Sequence, residues 1–194
     1  IIKFSLISEA IGTITLYFSW GGMHFDNWGD RLFHSSFQAV SAFNNAGFST
    51  FSNNLFEEGV RQLYFLQIVI IFLVFLGGFG FIALQDIFSL GSIKTRLKLH
   101  WKHLNISTKI TLYTSLFLIF LGALIFYFLE RNNVLVNENW YQTVITSIFQ
   151  SVTTRTAGFN TVDFTLLGTP ILIFFILLMF IGAGSGSTGG GIKV

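Results

Sequence analysis

The chemistry this sequence repeats is that of backbone oxygen, not of a reactive side chain. Phe37-Gln38-Ala39-Val40-Ser41 leads through Asn44-Asn45 into Ala46-Gly47-Phe48-Ser49-Thr50. Phe149-Gln150-Ser151-Val152-Thr153 leads through Arg155-Thr156 into Ala157-Gly158-Phe159-Asn160-Thr161. Gly158 follows Gly47 by 111 residues, and the two copies differ by one residue of slippage. A run such as residues 44–47, set after a short helix, offers carbonyl oxygens with no helical partner. Glycine admits the backbone angles that turn carbonyls toward one axis and has no side chain to block it. Rings of such carbonyls can replace the water around a K⁺ ion. A short helix aimed at the same point adds negative potential from its C-terminal end. One AGF alone reads as a tight turn with glycine as a helix cap. Two copies, each behind FQxV and a hydroxyl residue, favour the carbonyl reading.

Side-chain chemistry is thinly represented. Cysteine is absent, so neither a disulfide nor a thiolate metal site can be built. His24 and His34 flank the first motif, and His100 and His103 fall among basic residues. None lies deep in an apolar stretch, so no proton relay or metal site is expected. Gly184-Ser185-Gly186-Ser187-Thr188-Gly189 matches GxGxxG by letter, but a dinucleotide site needs a strand before it, and here an apolar helical stretch precedes it. Ile192 separates Gly191 from Lys193, which breaks the P-loop pattern. Ser185 or Ser187 as the nucleophile of an intramembrane protease would need a general base within reach, and no His or Lys lies inside a span to serve.

The elements that must position the motifs are membrane spans. Hydrophobic residues form 52% of the chain and charged residues 10%, against about a quarter charged in soluble domains. The mean hydropathy is +0.68, and Phe occurs 25 times, too often for one soluble core. Crossing a bilayer takes about 20 apolar residues. Residues 10–25, 62–85, 110–129 and 164–181 predict four spans, the first ended early by Gly21-Gly22. Residues 32–43 and 140–153 predict shorter, more polar helices that are re-entrant or interfacial rather than spanning. The order is span, short helix, motif, span, and then the same again. The spans are read as free of internal charge.

Charge placement orients these elements. Residues 89–109 carry Lys94, Arg96, Lys98, Lys102 and Lys109 and no acidic residue, which puts this loop in the cytoplasm and both short helices outside. Trp20, Trp28 and Trp140 are then expected near the outer interface and Trp101 near the inner one. Five cations beside a membrane serve topology or lipid headgroups, so no nucleic-acid partner is expected. Asp86 is placed at the inner interface. Arg155, just before the second AGF, is expected to anchor its loop outward through an acidic or carbonyl partner, with Asp163 as one candidate. The chain opens on Ile1 and closes on Val194 in mid-stream, which predicts an internal piece of a larger protein.

Ser41-Ala42-Phe43-Asn44-Asn45-Ala46-Gly47-Phe48, Thr153-Thr154-Arg155-Thr156-Ala157-Gly158-Phe159-Asn160-Thr161-Val162-Asp163 and Gly186-Ser187-Thr188-Gly189-Gly190-Gly191-Ile192-Lys193 resemble the TrkH/KtrB family of bacterial potassium-transport subunits. The resemblance covers nearly the whole chain. It implies an all-α integral membrane fold of repeated span–re-entrant pore helix–span units, potassium-channel-like, of which this partial chain holds the second and third. Residues 1–88 would be the second repeat with a truncated first span, 89–109 a cytoplasmic basic loop, and 110–194 the third repeat with a broken second span. Gly47 and Gly158 match the family's filter glycines, with Asn45, Ala46, Thr156 and Ala157 supplying ion-facing carbonyls. Gly182-Ala183-Gly184-Ser185-Gly186-Ser187-Thr188-Gly189-Gly190-Gly191 resembles the intramembrane gate loop. Near Ser185 the family often carries a bulkier residue or proline, and here the run is Gly184-Ser185-Gly186.

The family further implies K⁺ as the transported ion, Na⁺ as a candidate coupling ion, no enzymatic activity and no covalently bound cofactor. It implies a homodimer in the bilayer of a bacterial inner membrane, seated on a cytoplasmic ring of nucleotide-binding regulatory subunits. The alternative reading is an ion-coupled secondary transporter with re-entrant hairpins. Inverted repeats and midplane charges would be expected of it, whereas both repeats here have one orientation.

Overall fold

A computed structural model of the chain describes residues 2–89, 104–136 and 138–193. Trp101 and most of the basic loop expected at 89–109 lie outside the described residues. The first unit consists of α1 (Ile2–Ser19), α2 (Trp28–Phe43), α3 (Tyr64–Gly78) and α4 (Phe81–Phe88). The second consists of α5 (Ile106–Glu130), α6 (Trp140–Thr156) and α7 (Thr169–Phe180). Short 3₁₀ turns at Asn54–Phe56 and Phe164–Leu166 occupy corresponding places after the two motifs. The described residues contain no strand, only a bridge between Ile181 and Ile192.

The short helices form where composition placed them, with other ends. α2 starts at Trp28, and α6 runs on to Thr156. Asn139 starts α6, its N–H donating to Gln142 Oε1 at 2.8 Å, as in a capping box. α1 reaches back over Lys3 and Glu9 and stops before Gly21, whose φ is +55°. The expectation of spans free of charge is therefore corrected. Glu9 lies within a helix, where its Oε1 accepts a hydrogen bond from Asn44 Nδ2 at 3.0 Å.

The larger correction concerns residues 62–85. They form two helices bent by 103° at a short break, not one continuous helix. Gly77, Gly78 and Gly80 supply weak helical ground, since each interior glycine costs about 1 kcal/mol against alanine. Gly80 has φ +92°. At a rise of 1.5 Å per residue, the 15 residues of α3 span about 22 Å. The 12 residues of α7 span about 18 Å. Both fall short of the hydrocarbon core, about 30 Å thick, and both end in glycine-rich turns. Among the described residues, α5 alone is one unbroken helix long and apolar enough to cross.

Packing repeats as well. Gly12 in α1 faces Ala39 of α2, and Gly122 in α5 faces Ser151 of α6. Ala39 and Ser151 are the same position of FQxV. Small residues at such crossings let helices approach closely, which is how helices associate in lipid, where burial of apolar surface provides no drive. One buried cluster joins Leu16, Trp20, Leu66 and Ile70 of the first unit to Phe149, Val152 and Phe159 of the second. Outward faces carry Leu6, Ile11, Ile14, Phe18, Phe117 and Phe120, all well exposed, and this suits a hydrocarbon surround. Trp28 and Trp140 are exposed, but Trp20 is fully buried. Its Nε1 donates to Ser35 Oγ at 2.7 Å, so it is a core residue rather than a belt residue.

Candidate functional site

The two AGF segments, far apart in sequence, meet. Gly47 has φ +71° and Gly158 φ +87°, a left-handed region that penalises any residue with a Cβ. A Cβ added at Gly47 would also collide with the Ala157 carbonyl oxygen. The chain thus needs glycine there on two independent counts. Asn45 also has positive φ, +53°, a conformation that asparagine tolerates better than most residues.

Each strand is strapped to the helix that delivers it, by the glutamine and the hydroxyl residue that both copies of the repeat carry. Ser41 Oγ donates to the Phe48 carbonyl at 2.7 Å, and Thr153 Oγ1 to the Phe159 carbonyl at 2.8 Å. Gln38 Nε2 donates to Ser49 Oγ at 2.7 Å, and Gln150 Nε2 to Thr161 Oγ1 at 3.1 Å. Both glutamine bonds span 11 residues, so the one-residue slippage moves only which hydroxyl receives them. Both glutamines are fully buried. Asn54 Nδ2 holds the Gly47 carbonyl at 2.9 Å. The motifs had shown these residues in place without showing what they do.

The six residues read as carbonyl donors fall as follows. Asn45, Ala46 and Gly47 lie beyond the end of α2, as do Ala157 and Gly158 beyond the end of α6. Thr156 is still helical, so the second strand leaves its helix closer to its glycine than the first does. The carbonyls of Ala46 and Ala157 take no hydrogen bond among the described residues. The C-terminal ends of α2 and α6 approach the same region, where their carbonyl dipoles favour a cation.

The glycine run after α7 folds back under this site. Gly182 N–H donates to the Ile192 carbonyl at 3.0 Å and Ala183 N–H to the Gly190 carbonyl at 3.2 Å, closing a loop over residues 182–191. Thr188 Oγ1 accepts from Asn45 Nδ2 at 2.9 Å. It also lies 3.3 Å from the carbonyls of Phe43 and Gly77. Lys193 Nζ donates to Ser187 Oγ at 3.3 Å and to the Gly189 carbonyl. Gly184, Ser185 and Gly186 face the bend between α3 and α4.

Arg155 is 8% exposed. Its Nη2 donates to the Gly182 carbonyl at 3.0 Å and its Nη1 to the Ser115 carbonyl at 3.4 Å. It therefore anchors inward, to the root of the glycine loop, through carbonyls. Asp163 is not its partner: that carboxylate accepts from the N–H and hydroxyl of Thr165 at 2.9 and 2.7 Å. On the opposite side of the motifs, a cavity of about 660 Å³ opens between the two units, lined in part by Arg61, Tyr64, Glu138 and Gln142. Burial raises the Glu138 carboxyl above its ordinary value, against a hydrogen bond from Thr146 that lowers it. No group of His, Cys, Asp or Glu suited to hold a metal exists among the described residues.

Comparison with known proteins bears on this arrangement. The family model described as TrkH, cation transport protein, matches residues 4–194. Ktr system potassium uptake protein B of Vibrio alginolyticus is 37% identical over 204 residues, covering 100% of this chain and 41% of that protein. The protein of the same name from Bacillus subtilis is 38% identical over 200 residues, covering 100% of this chain and 40% of its own length. The chain thus spans about 40% of the curated relatives it matches. The crystal structure of the potassium transporter TrkH from Vibrio parahaemolyticus superposes with a TM-score of 0.71 over 97% of this chain and 36% of that one, at 20% identity. That likeness speaks to the fold.

Proposed function

The chain belongs to the TrkH family of cation transport proteins, and from that premise we propose that it forms two of the repeats around a K⁺-selective pore. It is a membrane cation-transport protein rather than an enzyme, and its relatives are potassium uptake proteins. In the proposed mechanism the carbonyls of Asn45, Ala46, Gly47, Thr156, Ala157 and Gly158 strip and replace ion hydration, and no covalent step occurs. Selectivity then depends on how many carbonyls converge and how firmly they are held. The loop over residues 182–191 gates flux from below. Of all the observations, the meeting of Gly47 with the Ala157 carbonyl at two left-handed glycines supports this reading most.

The same reading makes residues 1–88 and 110–194 consecutive repeats joined by the cytoplasmic loop 89–109. It places the whole protein, multi-pass and dimeric, in a bacterial inner membrane above a ring of nucleotide-binding regulatory subunits. The K⁺ ion is cargo, and Na⁺ is the candidate coupling ion.

The test is potassium rescue. The full-length protein is expressed in cells lacking K⁺ uptake, and growth at low K⁺ is compared with Gly47→Ser and Gly158→Ser versions. Rescue that either change abolishes, or converts into Na⁺ leak, supports both glycines as filter elements. Rescue and K⁺/Na⁺ discrimination untouched by both changes would reduce the AGF segments to turns and end the pore reading.

A further inference from the structure

The bend between α3 and α4 has a partner. Gly184 N–H donates to the Gly78 carbonyl at 2.9 Å, and Phe81 N–H donates to the Gly186 carbonyl at 3.2 Å. These two bonds run in opposite directions, so loop and bend pair like a short ladder. The fit between them is close. A Cβ at Gly80 would collide with the Ser185 carbonyl oxygen, and one at Gly184 would lie 2.6 Å from the Phe79 carbonyl oxygen. Phe79 itself is 2% exposed and packs with Ala83 and Leu84, so the bend is backed by a buried apolar cluster. Just above it, Gly77 lets the Phe43 carbonyl, at the end of α2, come against α3. Thr188 of the loop reaches both carbonyls there.

We infer that the Gly78-Phe79-Gly80-Phe81 elbow of the second repeat is the seat that holds the glycine loop of the third repeat in its closed position beneath the filter. The inference rests on the pore reading above and adds a positioning element to it. A helix that breaks in mid-membrane leaves backbone groups without partners, and at that depth they must be satisfied by protein or by water in a cavity. The loop satisfies Gly78 and Phe81, and the elbow in turn satisfies Gly184 and Gly186. Each broken helix completes the other. Opening must part these two bonds, so the seat biases the loop between two states and does not merely pack against it. Phe79 and Gly80 carry the contact surface, and neither belongs to the filter.

The experiment uses the full-length protein and two substitutions. Gly80→Ala puts a methyl group into the Ser185 carbonyl and strains a φ of +92°. Phe81→Pro removes the N–H that reaches Gly186 together with the phenyl ring packed beside Phe79. It stands at the first position of α4, where proline is compatible with the helix, and is read against Phe81→Ala, a control that loses the ring and keeps the N–H. Initial K⁺ uptake and the K⁺/Na⁺ uptake ratio are measured per unit of membrane-inserted protein, beside Gly47→Ser. The expected result is a several-fold rise in K⁺ uptake in both elbow variants with the ratio unchanged. Wild-type or reduced uptake by inserted Phe81→Pro protein would overturn the inference, and this variant decides alone if Gly80→Ala does not insert. A Gly47→Ser protein with unaltered K⁺/Na⁺ ratio would instead count against the filter reading, which separates the two failures.

Discussion

At the scale of single residues, the site depends on small hydrogen-bonding groups that hold backbone in place. Gln150 and Thr153 lie fully within protein and bond to Thr161 and the Phe159 carbonyl. A hydrogen bond of this kind contributes about 1 kcal/mol, or roughly a fivefold change in an equilibrium between strand conformations. Gln150→Leu or Thr153→Val should therefore lower K⁺/Na⁺ discrimination by about fivefold each, as measured by competitive uptake. Gln38→Leu and Ser41→Ala should do the same on the other strand. Unchanged discrimination in all four would mean that the strands are held by packing alone. Composition could place these residues in a motif but could not show what they hold, because a strap is defined by its partner, which lies 11 residues away for each glutamine and 7 or 6 away for Ser41 and Thr153.

At the scale of elements, the close crossings of α1 on α2 and α5 on α6 should resist enlargement. Gly122→Val drives a side chain into the Ser151 hydroxyl, which itself donates to the Ile119 carbonyl at 2.8 Å. Overpacking of this kind costs about 1–3 kcal/mol. The expected outcome is a lower thermal unfolding temperature in detergent, with Gly12→Val showing the same effect through Leu73 and Ala39. Equal melting of wild type and Gly122→Val would show that this crossing has slack. Helix existence was legible from runs of uncharged residues, and five of the seven helices among the described residues lie within or around stretches so identified. The bend in residues 62–85 was not. Charge counting registers where a chain can cross a bilayer, but it is blind to a break whose exposed backbone groups are satisfied by a loop 100 residues away in sequence.

At the scale of the whole molecule, both short helices start from one side and both glycine turns lie toward the other. The distribution of Lys and Arg predicts that the starts of α2 and α6 lie outside. The prediction is that, in a cysteine-free background, Asn53→Cys in intact cells reacts with a membrane-impermeant thiol reagent and Lys98→Cys does not. Labelling of Lys98→Cys in intact cells would invert the topology and, with it, the direction in which the glycine loop faces. The apolar outer faces of α1 and α5 would be an aggregation hazard in water and are ordinary in lipid.

What the sequence determined by itself was local and repetitive: the apolar helical stretches, the two short helices, the glycines of AGF, and the kinship carried by those ordered motifs. These signals sit within a few residues of one another, where periodicity, charge and repetition act. The tertiary structure decided which groups pair at a distance. It turned Arg155 inward to Gly182, put Glu9 against Asn44, buried Trp20, and joined the elbow of one repeat to the loop of the other. A backbone hydrogen bond has no sequence signature, because every residue except proline offers the same donor and acceptor, and only the fold determines which of them meet.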